Sequence, residues 1–317
     1  MHICYDLRKI ELSTHDRPVV TLGTFDGVHL GHQQILRRVT TQARLEKRKS
    51  VLLTYHPHPR LVLRPWQPVQ LLTTLEEKIK LIEAYGLDEM IVLNFDQALA
   101  NTEARQFVEH ILVKKLLPGY LVVGYDHGFG KNRQGGIEIL KETGELHGFA
   151  VEVVPPVKLG EENISSTKIR KAFQAGEFNK GAKLLGHSYP VRGTVQMGTG
   201  LGQKLGYPTC NLRLPPEKLF PPAGIYSCKV EIGSRIKDGM AYVGTKPTLR
   251  SAGQKTEDEL SLEVHLFDFQ GILYDCTLLV YLEEWIRPDQ EFKDLEALRE
   301  QIRLDEKMIR EKQSLKE

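Results

Sequence analysis

Residues 23–32 combine glycines and histidines at a spacing suited to phosphate chemistry: Gly-Thr-Phe-Asp-Gly-Val-His-Leu-Gly-His. The glycines let a ligand approach the backbone closely, and a helix that follows would present unpaired amide groups and its positive dipole end to a phosphate. His29 and His32 lie three residues apart in the first helical turn, so each can donate a hydrogen bond to a phosphate oxygen as charge builds in a transition state. Helix capping and zinc binding are the alternative roles for these two histidines.

A second candidate phosphate site lies past the middle of the chain, where glycines recur ahead of a Pro-Thr-Cys-Asn sequence at 208–211. The glycines are Gly193, Gly198, Gly202 and Gly206. Their spacing matches neither a Walker loop nor a Rossmann fingerprint, and β-turns alone would account for their number. Thr209 and Asn211, however, project to the same side of an extended chain and offer two neutral oxygens to a hard cation such as Mg²⁺. Two phosphate sites in one chain suggest two coupled ATP-dependent reactions.

The length and the charge balance of the chain limit the kinds of protein that it can be. The 317 residues favour two domains of about 150 residues each. A hydrophobic fraction of 41% with 26% charged residues suits ordinary globular cores. The 43 basic and 41 acidic residues create no broad field for nucleic acid or a membrane surface. We therefore expect small anionic substrates and neither a nucleic-acid nor a membrane partner.

The cysteines and the apolar runs of the sequence favour a cytoplasmic location. Cys4, Cys210, Cys228 and Cys276 show no Cys-x-x-Cys spacing, so neither a zinc site nor a disulfide framework is indicated. The first residues lack the apolar core of a signal peptide, and no run of about 18 apolar residues could span a bilayer. Reduced thiols in a cytosol are the expectation.

The elements that position the first motif alternate between strands and helices. Strands are predicted at 18–22, 50–55, 90–95, 120–123 and 151–154, with helices after residue 30 and at 74–85 and 103–115. This alternation predicts an α/β fold in which a mostly parallel sheet carries helices on both faces. Ligands bind outside the carboxyl ends of the strands in such sheets, so residues 23–32 and 124–133 are expected there.

The pattern changes to short β-rich runs after two further helices, which are predicted at 167–174 and 178–185. The β-rich runs are 225–232, 240–243, 260–267 and 273–282, and they predict an antiparallel sheet or barrel. Residues 289–312 carry Leu295, Leu298, Ile302 and Ile309 on one helical face, which indicates an amphipathic helix packed on the barrel. Gly186 is suited to end the preceding helix in a left-handed cap, so we predict domains at 1–186 and 187–317.

The first motif resembles the nucleotidyltransferase superfamily, whose His-x-Gly-His signature follows the first strand. It resembles more closely the prokaryotic FAD synthetase domain, since Gln33 completes the pattern Gly-x-Phe-Asp-Gly-Val-His-x-Gly-His-Gln. The resemblance implies that His29 and His32 lie near the phosphates of ATP, which the motif also binds through Gly23, Phe25, Asp26 and Gly27. It further implies that the phosphate of FMN attacks the α-phosphorus and releases pyrophosphate. That phosphate is already a nucleophile, so positioning and electrostatics suffice without a general base.

A later segment resembles the Ser-Ser-Thr-x-x-Arg element of the same superfamily. Its residues are Ser165, Ser166, Thr167 and Arg170. The resemblance implies that hydroxyl groups at a helix start and an arginine meet the ATP phosphates. Taken alone, the segment would be an ordinary helix N-cap.

Two loops complete the resemblance to the FAD synthetase domain. Residues 124–130 resemble its Gly-x-Asp-Phe-x-Phe-Gly loop, which implies a flavin or nucleotide contact for Asp126, Phe129 and Gly130, and His127 stands where Phe is usual. Residues 55–59 resemble a Phe-x-Pro-x-Pro loop near the nucleotide. A solvent-facing turn is the alternative for the histidines of that second loop.

The second half of the chain is similar to the riboflavin kinase domain. The similarity runs from the glycine-rich segment through Gly-Tyr-Pro-Thr-x-Asn at 206–211, Gly-Ile-Tyr at 224–226, Gly-Thr-Lys-Pro-Thr at 244–248, 262–269 and Ile-Arg-Pro at 286–288. It implies that Gly193, Gly198, Gly202 and Gly206, with Lys204, hold the ATP phosphates. It also implies that Thr209 and Asn211 hold Mg²⁺. Cys210 stands where Ala is usual, and Gln203 where Arg is frequent.

Glu263 is the candidate catalytic base of this second half. A primary alcohol such as the ribityl 5′-hydroxyl is a poor nucleophile, and a carboxylate within reach can orient it and accept its proton. The alternative is an ordinary exposed carboxylate, because Glu263, His265 and Phe267 share one face of an alternating strand.

The two resemblances imply a bifunctional enzyme of flavin cofactor synthesis with riboflavin, FMN, FAD and ATP as substrates or products. A kinase in the C-terminal barrel would convert riboflavin and ATP to FMN and ADP. An adenylyltransferase in the N-terminal domain would convert FMN and ATP to FAD and pyrophosphate, and Mg²⁺ would serve both reactions. The alternatives are an enzyme with one degenerate domain and a non-catalytic flavin sensor or nucleic-acid-binding regulator. The lack of a basic, aromatic-rich stripe disfavours nucleic-acid binding.

Overall fold

The computed structural model describes residues 1–7, 16–245 and 260–315, and these residues form two compact units. The first unit contains Met1–Leu71 and Lys78–Ser166, and the second contains Leu72–Glu77 and Thr167–Glu317. The chain therefore passes from the first unit to the second after Ser166, ahead of the two helices that precede residue 186. The division of function at 186/187 stays a prediction.

The first unit is built on a parallel sheet of six strands in the order β1-β4-β3-β2-β5-β6. The strands are β1 His2–Cys4, β2 Val19–Leu22, β3 Ser50–His56, β4 Glu89–Asn94, β5 Tyr120–Gly124 and β6 Ala150–Val154. All four residues of β2 are buried, which fits a central strand that is covered on both faces. The predicted parallel sheet is confirmed. The edge strand β1, only three residues long, was not predicted.

Helices and one short hairpin surround this sheet. They are α1 Leu30–Glu46, α2 Pro59–Leu63, α3 Leu75–Glu83, α4 Gln97–Ala100, α5 Ala104–Phe107, a π-helix at Val108–Leu116, a 3₁₀ turn at Lys131–Arg133, α6 Ile137–His147, and the strands β7 Lys158–Leu159 and β8 Glu162–Asn163. The helix predicted at 103–115 is therefore α-helical for one turn and then widens to π geometry. In α1, the face that carries Leu36, Val39 and Ala43 is buried.

The second unit is a closed antiparallel barrel with the strand order β10-β13-β12-β11-β14-β9. Its elements are α7 Ser166–Gln174, α8 Phe178–Leu185, β9 Tyr189–Gln196, α9 Leu201–Leu205, β10 Cys210–Arg213, β11 Gly224–Ile232, β12 Arg235–Thr245, β13 Leu260–Leu266, β14 Thr277–Arg287 and α10 Leu295–Ser314. Gly186 ends α8 at φ +73°, as predicted. The predicted barrel and terminal helix are confirmed.

The terminal helix starts later than the sequence indicated, and its buried face is narrower. Asp294 is its N-cap, because its Oδ1 accepts a hydrogen bond from the amide of Ala297 at 2.8 Å. Ile309 is fully buried, whereas Leu295 in the first turn is 57% exposed. Residues spaced seven apart drift by roughly 20° per repeat on a straight helix. Leu295 and Ile309 are thus offset by about 40°, and of the two only Ile309 is buried.

A buried lysine explains why residues 72–77 belong to the barrel unit. Lys218 Nζ is fully buried and binds Glu77 Oε2 at 2.6 Å and the carbonyl oxygens of Leu72 and Pro190 at 2.8 and 2.6 Å. It also lies 4.1 Å from the ring centre of Tyr189. A buried charge is tolerated when it is paired and hydrogen-bonded in this way. The ion pair and the hydrogen bonds of Lys218 therefore attach this segment to the barrel.

Candidate active sites

The histidines of the first motif stack at the start of α1. His29 is the N-cap residue, and its Nδ1 accepts a hydrogen bond from the amide of His32 at 3.4 Å. The two ring centres lie 3.6 Å apart with an interplanar angle of 17°. Because Nδ1 accepts, the neutral imidazole of His29 carries its proton on Nε2 and can donate from there. Capping is thus a real role of His29.

His32 is electrically neutral under ordinary conditions. Burial, the neighbouring His29 and the Lys78 ammonium hold its pKa well below the usual value of 6.5. Its Nδ1 is buried without a hydrogen-bond partner among the residues that the structure describes. A buried polar nitrogen that lacks a partner costs free energy unless a ligand or water satisfies it. The geometry therefore suits a hydrogen bond from His32 to a bound ligand.

The loop that carries the motif is conformationally strained. Phe25 and Val28 adopt left-handed backbone angles, φ +49° and +40°, although neither is glycine. Both side chains are buried, so packing holds this conformation in place. A Cβ at Gly23 would lie 3.1 Å from the Phe25 ring, which favours glycine there. Strain of this kind is concentrated at ligand sites in proteins.

The late serine-rich motif reaches the first motif through a hydrogen bond. Ser166 Oγ donates to the carbonyl oxygen of Asp26 at 2.8 Å across 140 residues of sequence. The structure thus brings together Ser166, beside Ser165, and the buried Asp26. Thr167 and Arg170 continue along α7 into the barrel unit, and their contact with the phosphates stays a prediction.

One residue of the first unit that the sequence analysis missed is Lys78 on α3. It is 5% exposed, and its Nζ lies 3.4 Å from Thr54 Oγ1. Burial lowers the pKa of Lys78 to about 8, and the opposite charge of Asp26 limits that fall. Because lysine side chains are rarely buried, the residue type alone would place Lys78 on the surface. Its burial could have been inferred from the helical spacing, because Lys78 shares a helix face with the buried Leu75 and Ile82.

The loop after β5 is held by glycine packing. Gly130 has φ +68°, and a Cβ there would lie 2.7 Å from the Cα of Ala104. Phe129 is packed in the core, with its ring centre 5.7 Å from that of Phe107. Asp126 is exposed, and its carbonyl oxygen accepts a hydrogen bond from Arg133 at 3.1 Å. The flavin or nucleotide contacts of this loop stay predictions.

His127, which replaces the usual phenylalanine, is a half-buried base in this loop whose Nε2 atom is shielded from solvent. Its Nε2 has no hydrogen-bond partner within the described part of the chain, and its ring lies 5.7 Å from that of Phe129. Burial, aided by the charge of Arg133, lowers its pKa to about 4. The folded chain therefore holds His127 in its neutral form.

Acid is expected to destabilise the wild-type protein more than the His127→Phe variant. The unfolded chain takes up a proton on His127 near pH 6.5 and the folded chain only near pH 4, so stability present above pH 6.5 is lost as the pH falls between these values. At pH 5 the loss amounts to up to about 2 kcal/mol, at about 1.4 kcal/mol per pH unit. Denaturant unfolding near pH 7 and near pH 5 measures it. The exposed His110→Phe provides the control. Equal acid sensitivity in His127→Phe and the wild type would contradict this role.

The two histidines of the 55–59 loop lie at the ends of regular elements, and His58 is half-buried. His56 ends β3 and is exposed. His58 is the N-cap of α2, with its Nδ1 accepting from the amide of Arg60 at 3.1 Å. A nucleotide contact for this loop stays a prediction.

The candidate residues of the kinase converge on strand β10 of the barrel. Asn211 pairs with Glu263 of β13 on one side and with Gln196 of β9 on the other. Thr209 Oγ1 donates to Glu263 Oε2 at 3.2 Å, across 54 residues of sequence. The barrel thus places a hydroxyl, an amide and a carboxylate from two separate motifs side by side.

The same three side chains suit a hard cation. Asn211 is buried, and its Oδ1 has no hydrogen-bond partner among the described residues. An orphaned amide oxygen beside a hydroxyl and a carboxylate provides the oxygen ligands that Mg²⁺ prefers. No group of three or more His, Cys, Asp or Glu side chains in ranges 1–7, 16–245 and 260–315 is arranged to hold a metal. The candidate ligands at β10 are therefore chiefly neutral oxygens.

The glycines of the second motif differ in their roles. Gly193 lies inside β9, where a Cβ would be 2.9 Å from the carbonyl oxygen of Arg213, so it is required for strand packing. Gly198 lies against the amide group of Asn211 and leaves no room for a side chain. Gly202 belongs to α9, Gly206 ends that helix at φ +86°, and Lys204 on the same helix is exposed. Their binding of phosphate stays a prediction. Lys246-Pro247-Thr248 lies outside the described residues.

Tyr242 is a further neighbour of Glu263 that the sequence analysis missed. It pairs with Glu263 between β12 and β13, and its hydroxyl donates to Asp289 Oδ2 at 2.7 Å. Burial, that hydrogen bond and the Glu263 charge raise its pKa above the usual value. The strand contained no motif signal for this tyrosine, because its placement depends on the register between two strands.

Two family models match successive parts of the chain, in the same order as the two sets of motifs. A model described as FAD synthetase matches residues 11–168, and a model described as riboflavin kinase matches residues 185–313. No helix within the described residues is both long and apolar enough to cross a membrane.

Three bacterial relatives named bifunctional riboflavin kinase/FMN adenylyltransferase align with nearly the whole chain. The Pseudomonas fluorescens protein is 36% identical and covers 92% of this chain and 91% of its own. The Bacillus subtilis protein is 33% identical over 91% and 90% of the two chains. The Escherichia coli K12 protein is 31% identical over 98% and 97%.

A solved structure shares the fold along its whole length. It is a Streptococcus pneumoniae protein titled as a macrolide-efflux protein, with a TM-score of 0.83 and 31% identity. The alignment covers 97% of this chain and 98% of that one. Its title differs from the names of the curated relatives and of both family models.

Proposed function

This chain belongs to the bifunctional riboflavin kinase/FMN adenylyltransferase family, and on that premise we propose that it makes FAD from riboflavin in two ATP-dependent steps. The barrel phosphorylates riboflavin to FMN, and the parallel-sheet unit adenylylates FMN with release of pyrophosphate. We assign the adenylyltransferase to residues 1–186 and the kinase to 187–317. The observation that carries the proposal is that each unit holds its own set of converging motif residues, the His29–His32 stack and the Thr209–Glu263 hydrogen bond.

In the adenylyltransferase step, the protein positions two phosphates and stabilises charge. An oxygen of the FMN phosphate attacks the α-phosphorus of ATP, and the bond to the β-phosphate breaks. His29 and the neutral His32 are hydrogen-bonding groups at the N-terminus of α1, where the helix dipole and the amides of the first turn also favour negative charge. Donors aimed at developing charge accelerate such a step without taking up a proton.

In the kinase step, Glu263 accepts the proton of the ribityl 5′-hydroxyl as that oxygen attacks the γ-phosphorus of ATP. The bond from the γ-phosphorus to the bridging oxygen breaks, and its electron pair leaves with ADP. Thr209 Oγ1 donates to Glu263 Oε2, which fixes the carboxylate and leaves Oε1 for the substrate hydroxyl. Thr209 and Asn211 would hold Mg²⁺, which screens the charge of the ATP phosphates. The orphaned Oδ1 of Asn211 supports that assignment.

The proposal also covers the partners and the location of the protein. We propose that it acts in the cytoplasm on small molecules, with neither a nucleic acid nor a membrane as a partner. The near balance of 43 basic and 41 acidic residues supports small-molecule substrates over a polyanionic surface.

Chromatographic separation of flavins after two parallel reactions tests the function. The purified protein is incubated with ATP and Mg²⁺, once with riboflavin and once with FMN, and FAD is expected in both. FMN that accumulates from riboflavin without conversion to FAD would leave a kinase alone. FAD from FMN but not from riboflavin would leave an adenylyltransferase alone, and no product in either reaction would favour a flavin-binding protein without turnover.

A further inference from the structure

A buried positive charge lies beside the histidine loop of the first unit. Lys78 Nζ on α3 donates to Thr54 Oγ1 on β3 at 3.4 Å, and that hydroxyl donates to the carbonyl oxygen of Thr24 at 3.4 Å. Thr54 is fully buried, so the connection from the helix to the loop runs through the interior. Two hydrogen bonds in series therefore connect Lys78 to Thr24 of the 23–32 motif.

Among the residues that the structure describes, no carboxylate forms an ion pair with Lys78. Within the described part of the chain, its hydrogen-bond partner is the neutral Thr54 hydroxyl, and Asp26 acts on it at longer range. By contrast, the buried Lys218 has a carboxylate at 2.6 Å and two carbonyl oxygens. Burying a cation with so few partners is costly unless an anion completes the site. The position therefore favours an anionic ligand.

The titration of the neighbouring groups is consistent with a cation that acts on a ligand. With a pKa of about 8, Lys78 is mostly protonated near neutral pH. The same ammonium helps to lower the pKa of His32, so its charge acts on that imidazole. The groups whose charges act on Lys78 and His32 are Asp26 and His29. Since the imidazole of His32 is neutral, Lys78 supplies the positive charge of this cluster.

We propose that the Lys78 ammonium binds the phosphates of ATP in the adenylyltransferase site and stabilises the departing pyrophosphate. This inference rests on the proposed adenylyltransferase function. As the oxygen of the FMN phosphate bonds to the α-phosphorus, the bond to the β-phosphate breaks and its electron pair leaves with pyrophosphate. Lys78 keeps its proton throughout and contributes through charge and hydrogen bonding.

Three variants test the role of the charge. Lys78→Gln is expected to lower kcat/KM for FAD formation from FMN by about 100-fold, the order found when one charge-stabilising donor is removed. Lys78→Arg keeps the charge and is expected to stay within about 10-fold of the wild type. Lys80→Gln is the matched control, because Lys80 lies on the same helix and is exposed, and it should behave as the wild type. FMN formation from riboflavin should be unchanged in all three, which shows that the barrel is folded.

Inhibition constants separate phosphate binding from a structural role. At constant free Mg²⁺, pyrophosphate and adenosine are titrated against FAD formation from FMN. Lys78→Gln should weaken inhibition by pyrophosphate at least about 10-fold and leave inhibition by adenosine unchanged. An equal weakening of both inhibitors would mean that the substitution merely disturbs the fold, and it would overturn the inference. So would a Lys78→Gln variant within about threefold of an active wild type. A wild type that makes no FAD from FMN would instead overturn the adenylyltransferase function itself.

Discussion

The His29→Ala variant is expected to lose FAD formation from FMN and to keep FMN formation from riboflavin. The substitution removes the imidazole of His29 and with it the stack with His32. Removal of one charge-stabilising donor lowers turnover by about 10²- to 10³-fold, and loss of the stack adds to this. The barrel contains its own converging site at Thr209 and Glu263, so the kinase should continue. Flavin chromatography of both half-reactions measures the result.

Capping by His29 complicates this prediction, and a second variant separates the two roles. Asparagine is a strong N-cap residue, so His29→Asn keeps an acceptor for the amide of His32 but has no imidazole donor. Its stability should be close to the wild-type value while FAD formation remains as low as in His29→Ala. The exposed His110→Ala controls for the loss of a histidine elsewhere in the unit. Recovery of FAD formation in His29→Asn would mean that His29 matters as a cap alone. A loss of both half-reactions in folded His29→Ala protein would contradict separate sites.

The fold class could be predicted because the apolar residues of the two halves follow different periodicities. Alternation of apolar runs with amphipathic helices required a parallel sheet, and the shift to short β-rich runs required an antiparallel one. The strand order could not be read in the same way, because pairing of β2 with both β3 and β5 is a long-range packing result. The attachment of residues 72–77 to the barrel unit was also unpredictable, since it depends on Lys218, which is far away in sequence.

The candidate sites show the same division between local and long-range information. That His29 and His32 lie on the same side of the start of α1 could be predicted from their three-residue spacing, whereas the stacking of their rings could not. Lys78 and Tyr242 were missed because their proximity to the sites depends on tertiary contacts that carry no motif. Their chemistry was visible only once burial and neighbouring charges were known.

The Glu263→Gln variant is expected to lose FMN formation from riboflavin and to keep FAD formation from FMN. Glutamine has nearly the same shape as glutamate but cannot accept the proton of the ribityl 5′-hydroxyl. Loss of a positioned general base lowers the rate by about 10²- to 10⁴-fold. The pairing of Glu263 with Asn211 and Tyr242 runs through backbone strands, so the barrel itself should persist.

A carboxylate elsewhere on the barrel shows whether the effect is specific to this position. Glu284 on β14 forms an ion pair with Lys312 at 2.6 Å, so Glu284→Gln removes a barrel carboxylate outside the Thr209–Asn211 cluster. It should leave both half-reactions close to wild type. A Glu263→Gln variant that phosphorylates riboflavin at the wild-type rate would show that this carboxylate is an ordinary strand residue. If Glu263→Gln stopped both half-reactions equally in folded protein, the proposal of one site for FMN formation and a separate site for FAD formation would be wrong.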